Sequence, residues 1–270
     1  GLEIDAIIDK IDVDTKVIGI SSMFTHEWTY IRDCITKLKN KFPSIPIIAG
    51  GEHITALTEY SLRDCISLDY AALGEGEETI VEFCKQIEKG ESPNQVDGIC
   101  FLKDGQFVKS SPRKRIKNVN EIPWPDWEVF NIAPYLDNSI SFGASFGRNI
   151  PIMATRGCPY QCTFCSNYEM WTKRYYMRDP EDVIDEIKYY IKKYKVTGIQ
   201  FYDLTAIVKK KWIIEFCNLY LKNELSIDWS LPSGTRSEAL DDEVLQLLQK
   251  TNLKYLVYAP ESGSETTLIN

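Results

Sequence analysis

Hydrophobic and polar positions divide the chain into two stretches of one rhythm, separated by a stretch of another. In the first, short apolar runs alternate with amphipathic segments. Lys16–Ile20 (KVIGI), Ile45–Ala49 (IPIIA) and Leu68–Leu73 (LDYAAL) read as buried strands. Between them Trp28, Ile31, Ile35, Leu38 and Phe42 recur at helical spacing until Pro43, and a second helical stretch covers Ala56–Cys65. A third helix, Glu78–Lys89, ends at Gly90 as its C′ residue. Strands alternating with helices imply right-handed βαβ units and a parallel sheet. Gly98–Lys109 then reads as a hairpin, two short runs around the tight turn Asp104-Gly105.

The segment Ser110–Asn149, with Ile122-Pro123-Trp124-Pro125-Asp126-Trp127, breaks the rhythm and predicts a packed strap between domains. Alternation resumes with strands at Pro151–Thr155, Ile199–Tyr202, Ile227–Leu231 and Tyr255–Ala259. Asp179, with Pro180 at the first helical position, is expected to cap a helix carrying Val183, Ile184, Ile187, Ile191 and Tyr194. Ile213, Phe216, Cys217, Tyr220 and Leu221 mark the next helix. A further one, capped by Asp241, carries Val244, Leu245, Leu247 and Leu248. The expected division is an α/β domain at 1–112, a linker at 113–148 and a second α/β domain of four βα units at 149–270. No initiator Met opens the sequence, few strands precede the hairpin, and no helix is expected after the last strand. Both ends therefore read as cut from a longer polypeptide.

Composition narrows the function classes. Apolar residues make up 44% and charged residues 26%, as in ordinary globular proteins, so a packed core is affordable and disorder is not expected. The net charge of −8 repels phosphates and argues against nucleic acid as a partner. The short basic run Arg113-Lys114-Arg115-Ile116-Lys117 reads as a solvated linker. No apolar run approaches the ~18–20 residues of a membrane span. The first residues carry no signal-peptide pattern, so a reducing cytoplasmic location is expected.

Three of the eight cysteines are bunched in Arg156-Gly157-Cys158-Pro159-Tyr160-Gln161-Cys162-Thr163-Phe164-Cys165, directly after a strand. Thiolates are soft ligands that suit iron–sulfur clusters, and three on a four-iron cube leave one iron open to a small molecule. Zinc would want a fourth Cys or a His, and the two histidines, His26 and His53, lie in the other domain. A ferredoxin would want four thiolates per cluster. Cys34, Cys65, Cys84, Cys100 and Cys217 stand alone in helices or strands and read as core thiols. In the first domain Ser21-Ser22-Met23, Gly50-Gly51-Glu52-His53 and Gly74-Glu75-Gly76-Glu77 follow successive strands, where open sheets bind nucleotide-like ligands. Packing of the glycines against helices is the other reading.

The Cys-x3-Cys-x2-Cys loop after the first strand of a βα series resembles the radical S-adenosylmethionine (SAM) superfamily. That resemblance implies a [4Fe-4S] cluster on Cys158, Cys162 and Cys165, with Phe164 near adenine and SAM oriented by Asp203, Arg236, Glu261 and Ser262. The pattern ISSM … IIAGGEH … ALGEGEE, over about Val13–Ser111, resembles the cobalamin-binding domain fused to many such enzymes. It implies that Ser21, Ser22, Gly50, Gly51, Gly74 and Gly76 contact cobalamin. The cobalt-ligating loop of many such domains corresponds to the region before Gly1, and His53 reads as a helix-start residue. The implied architecture is a doubly wound, Rossmann-like cobalamin domain followed by a partial radical SAM barrel. The implied activity is reductive cleavage of SAM and methylation of an unactivated carbon. A non-methylating oxidoreductase or cyclase and a binding module without turnover stand as alternatives. Implied partners are a small-molecule or natural-product substrate and an electron donor such as flavodoxin or ferredoxin. Arg148 and Asn149, before the first barrel strand, are open to two readings, barrel mouth or surface.

Overall fold

The computed structural model describes residues 3–144, 147–163, 165–235, 239–260 and 262–269. The chain forms two compact units, Gly1–Ile116 with Tyr160–Thr172, and Lys117–Pro159 with Lys173–Asn270.

The first unit runs α1 (Ile4–Ile8), β1 (Ile18–Ser21), α2 (Trp28–Lys41), β2 (Ile47–Gly50), α3 (Glu52–Ala56), α4 (Thr58–Asp64), β3 (Tyr70–Ala72), α5 (Glu77–Glu88), β4 (Ile99–Lys103) and β5 (Gln106–Lys109). The strand order is β1-β2-β3-β4-β5, with β1 to β3 parallel and β4 antiparallel to both its neighbours. Alternation along β2 decides the layering. Ile47 and Ala49 pack with Ile35 and Leu38 of α2, Ile54 of α3 and Leu62 of α4, while Ile48 packs with Phe83 of α5 and with Ile99. Helices thus cover both faces, the doubly wound arrangement the pattern predicts. Each fully buried Ile, Leu or Phe contributes roughly 1.5–3 kcal/mol. The hairpin turn holds Asp104 at φ 51° and Gly105 at φ 76°, the left-handed pair that a two-residue turn requires.

The helical stretch expected over Ala56–Cys65 is α4, Thr58–Asp64, and Leu57, at φ −124° and ψ 41°, separates it from α3. Two expectations fail here for local reasons. Cys84 is exposed, unlike the buried Cys34, Cys65, Cys100 and Cys217, because Phe83 takes the inward position and the next helical residue turns about 100° away. The basic run is not wholly solvated. Arg113 pairs with Glu82 and, at 3.2 Å, with Glu78, and Arg115 Nε lies 3.3 Å from Glu75 Oε2. Both arginine side chains are about nine-tenths buried.

The second unit contains α6 (Ala133–Asp137), β6 (Asn149–Ile152) and β7 (Thr155–Arg156); the chain then gives α7 (Asn167–Trp171) to the first unit and returns as β8 (Tyr176–Met177). It continues through α8 (Pro180–Tyr194), β9 (Gly198–Phe201), α9 (Lys210–Lys222), β10 (Asp228–Thr235), α10 (Asp242–Lys250), β11 (Leu253–Tyr258) and α11 (Glu265–Ile269). The four main strands are parallel in the order β11-β10-β9-β6, and β7 and β8 form a separate antiparallel ribbon. Ile150, Ile152, Ile199, Phe201, Trp229 and Leu231 share one face and pack with α8, α9 and α10. The Phe216 ring centres that layer, stacked on Trp212 at 5.5 Å and edge-on to Phe201 and Trp229 at 5.5 and 5.4 Å. Gln200 and Ser230 are buried on the other face, where Gln200 Nε2 donates to the Ala144 carbonyl at 2.9 Å.

Asp241 caps its helix, its Oδ1 accepting from Val244 N at 3.1 Å, but Asp179 does not cap α8 through its side chain. Asn120 intercepts it, donating to Asp179 Oδ2 and accepting from Asp179 N, both at 2.8 Å. Helix α11 follows the last strand, where none was expected. Arg148 and Asn149 open β6 at its N-terminal end, opposite the strand termini that would form a mouth. Arg148 is held there by Asp137 and by the Tyr194 carbonyl, 2.9 Å away. Among the described residues no helix is long and apolar enough to cross a membrane.

Candidate functional site

The β1 and β2 junctions of the first unit interlock. Ser22 N donates to the Gly50 carbonyl at 2.8 Å, and the Ser22 carbonyl accepts from His53 N at 3.2 Å. Gly51 makes this approach possible, since its φ is +101° and a Cβ there would lie 2.5 Å from the Ser22 carbonyl oxygen. Ser22 is fully buried, and its Oγ finds no partner among the described residues. Such a hydroxyl costs roughly 1–3 kcal/mol unless something bonds it. Ser21 is exposed. Behind the junction His53 is buried, with Nδ1 3.1 Å from Thr25 Oγ1 and Nε2 3.2 Å from Ser61 Oγ, and its ring stacks on Trp28. Burial holds its pKa below the ordinary histidine value. At the third junction Gly74 N donates to Thr55 Oγ1 at 3.1 Å, and Gly76 starts α5. Between the two glycines the buried Glu75 accepts from Ile116 N at 2.9 Å.

The cysteine loop is built differently. Cys158 is half-buried, Cys162 and Cys165 are exposed, and none forms a disulfide. Cys165 N donates to the Cys162 carbonyl at 3.1 Å. Among the described residues no three His, Cys, Asp or Glu side chains converge as a ready metal site. The chain leaves β6 through a bend at Met153–Arg156 that is fixed on several sides. Asp203, just past β9 and wholly buried, accepts from Ala154 N at 3.1 Å through Oδ2 and from the Thr155 hydroxyl through Oδ1. Burial pushes its pKa up to about 6, against the opposing pull of these hydrogen bonds. Arg178 donates its N–H to the Ala154 carbonyl and its guanidinium to the Met153 carbonyl, both at 2.8 Å. Ser262 Oγ accepts from Ser264 N at 3.1 Å. Phe164, Arg236 and Glu261 lie outside the described residues. Beside β6 a cavity of about 230 Å³ is walled by Trp124, Trp127 and Met153, with Arg156, Glu186 and Tyr202 among its polar lining.

The B12 binding domain profile matches residues 2–84, and the Radical SAM superfamily profile matches residues 152–269. The chain belongs to the cobalamin-binding radical SAM group. Within this group it is 30% identical over 98% of its length to an uncharacterized methyltransferase of Pyrococcus horikoshii, of which it spans 55%. It is 29% identical over 84% of its length to the anaerobic magnesium-protoporphyrin IX monomethyl ester cyclase of Cereibacter sphaeroides, spanning 37% of that protein. It shares a fold, at a TM-score of 0.81 and 18% identity, with the cobalamin-dependent SAM radical enzyme OxsB solved with aqua-cobalamin and SAM bound; all of this chain aligns with 39% of that one.

For a cluster, the donors fit by chemistry: three soft thiols in one loop, none sealed in the core. For a nucleotide-bearing ligand, the buried Ser22 hydroxyl without a partner among the described residues fits, while the space beside Gly51 is taken by the Ser22 backbone. In the radical SAM unit the buried hydroxyls of Thr205, Ser230 and Thr235 likewise lack partners among the described residues, and all three lie on or just after β9 and β10. Sequence reasoning missed Thr55, Thr155 and Arg178. Thr155 has a signal in its place one residue before Arg156-Gly157-Cys158; Thr55 and Arg178 have none in a single sequence.

Proposed function

We propose that the chain is the cofactor-binding part of a cobalamin-dependent radical SAM enzyme that methylates an unactivated carbon. The observation that carries the reading is the cysteine loop, which leaves the C-terminal side of the first parallel strand in a sheet of βα units, the end at which such sheets place their chemistry. When bound, a reduced [4Fe-4S] cluster supplies the electron that breaks a SAM carbon–sulfur bond, and methylcobalamin supplies the methyl group. Cys158, Cys162 and Cys165 would hold the cluster by three thiolates and leave one iron open. Ser22 would hydrogen-bond the cobalamin nucleotide through its Oγ, Gly51 would act by letting the Ser22 backbone lock into place, and Ser21, Gly50, Gly74 and Gly76 are assigned to cobalamin by their motif positions. Phe164, Arg236, Glu261 and Ser262 are assigned to SAM by their motif positions.

A second reading, non-methylating cyclisation, is favoured by the relatives named as ester cyclases. Product analysis separates the two. Full-length protein, reconstituted anaerobically and reduced, is expected to convert SAM to 5′-deoxyadenosine and, with cobalamin and substrate, to S-adenosylhomocysteine as well. 5′-Deoxyadenosine alone would favour cyclisation or another radical reaction. No cleavage of SAM by a cluster-loaded protein would leave a binding module.

A further inference from the structure

We propose that Asp203 is a positioning residue for the cluster loop, clamping the bend between β6 and β7 from which Cys158 departs, and that it does not hold SAM itself. The inference rests on the cluster reading above and gives Asp203 a different role from the one its motif position implies. The carboxylate is wholly buried, and both oxygens are taken, one by the Ala154 N–H and one by the Thr155 hydroxyl. Thr155 is itself 4% exposed. The backbone N–H groups of Thr155 and Asp203 hydrogen-bond it as well, so four donors meet the roughly four acceptor sites of a carboxylate and none is left for an ammonium on the open end of the sheet.

The location gives the clamp its purpose. The strand β6 ends at Ile152, and within six residues the chain must reverse its role from core strand to ligand loop. The ribbon of β7 with β8 is two residues long, with Thr155 opposite Met177 and Arg156 opposite Tyr176, and so short a ribbon is weak alone. Arg178 secures the outer side of the bend through the Met153 and Ala154 carbonyls. Asp203 secures the inner side, and it reaches across from the neighbouring strand β9. The bend is thereby tied to the sheet, and Cys158 follows Thr155 by three residues. Thiolates held at a fixed take-off lose less freedom on gathering around a cluster.

The test uses the full chain, with Asp203→Ala, Asp203→Asn, Thr155→Val and the Thr155→Val/Asp203→Ala double variant. In iron-free protein, amide exchange of the peptide covering residues 152–159 should rise about tenfold in Asp203→Ala while peptides of β10 stay unchanged. Asp203→Asn, which can still accept from Ala154 N and donate to the threonine oxygen, should restore most of the protection. The double variant should be no worse than Asp203→Ala, since Thr155→Val removes only a bond that Asp203→Ala has already lost. After anaerobic reconstitution, Asp203→Ala should lose iron to a chelator about tenfold faster, with Asp203→Asn between it and wild type. The SAM-induced change in the reduced-cluster electron paramagnetic resonance signal should persist in whatever cluster Asp203→Ala retains. Unchanged exchange in both Asp203→Ala and Thr155→Val would overturn the clamp, whether or not iron binds. Normal iron retention with loss of the SAM-induced signal would overturn it in favour of a direct SAM contact. Failure of the wild type to take up iron would instead strike the cluster reading, while exchange would still decide the clamp.

Discussion

The chain secures two strand ends by opposite means. After β1 and β2, Ser22 and Gly51 lock backbone to backbone, and the neutral His53 packs behind them. After β6, a buried carboxylate, Asp203, holds the bend. Where two backbones must touch, shape selects the residue and only glycine serves. Where a loop must be tied to a neighbouring strand, reach and hydrogen-bonding capacity select it, and a short acid with two acceptor oxygens serves.

The sharpest way to break the first device is Gly51→Ala. The added Cβ meets backbone at 2.5 Å, and the left-handed φ adds strain, so a loss of about 4 kcal/mol is expected in urea unfolding. Gly76→Ala is its control: φ is −92° and nothing lies within 4 Å, so the change should be near zero. Equal effects would mean that the interlock carries no special load.

The two devices should also respond to pH with opposite sign. Asp203 binds its proton more tightly folded than unfolded, because burial raises its pKa from 3.8 to about 6. Its contribution to stability is complete below the unfolded value and is lost as pH rises through the folded one. Relative to Asp203→Asn, the second unit should lose up to about 3 kcal/mol between pH 4 and pH 7. His53 is the reverse, since burial lowers its pKa from 6.5. Its contribution is present above that value and is lost as pH falls through the lowered one. Relative to His53→Gln, the first unit should weaken only on the acid side. Amide exchange resolves the units separately, and parallel pH profiles would refute the contrast.

Legibility in the sequence follows the same division. Apolar runs and helical spacing marked the main parallel strands and long helices, because burial on one or two faces leaves a periodic trace. Two-residue strands such as β7 and β8 leave none. Gly51 was visible as a residue type, though the backbone it touches was not. Asp203 was visible as a strand-end acid, but composition and spacing carry no sign of which way a carboxylate points. Asp179 reads as a helix cap by position, yet Asn120, 59 residues away, takes its side chain instead. Arg113 and Arg115 look solvated in a run of charges until Glu75, Glu78 and Glu82 fold against them. Long-range pairing of polar side chains is the part that one sequence does not record.

The most direct measurement is iron content and visible absorption after anaerobic reconstitution of the full-length protein, beside Cys162→Ala. The account expects about four iron atoms per chain and a broad cluster absorption in the wild type, both largely lost in the variant. Wild-type protein without iron, or iron retained undiminished in Cys162→Ala, would contradict it.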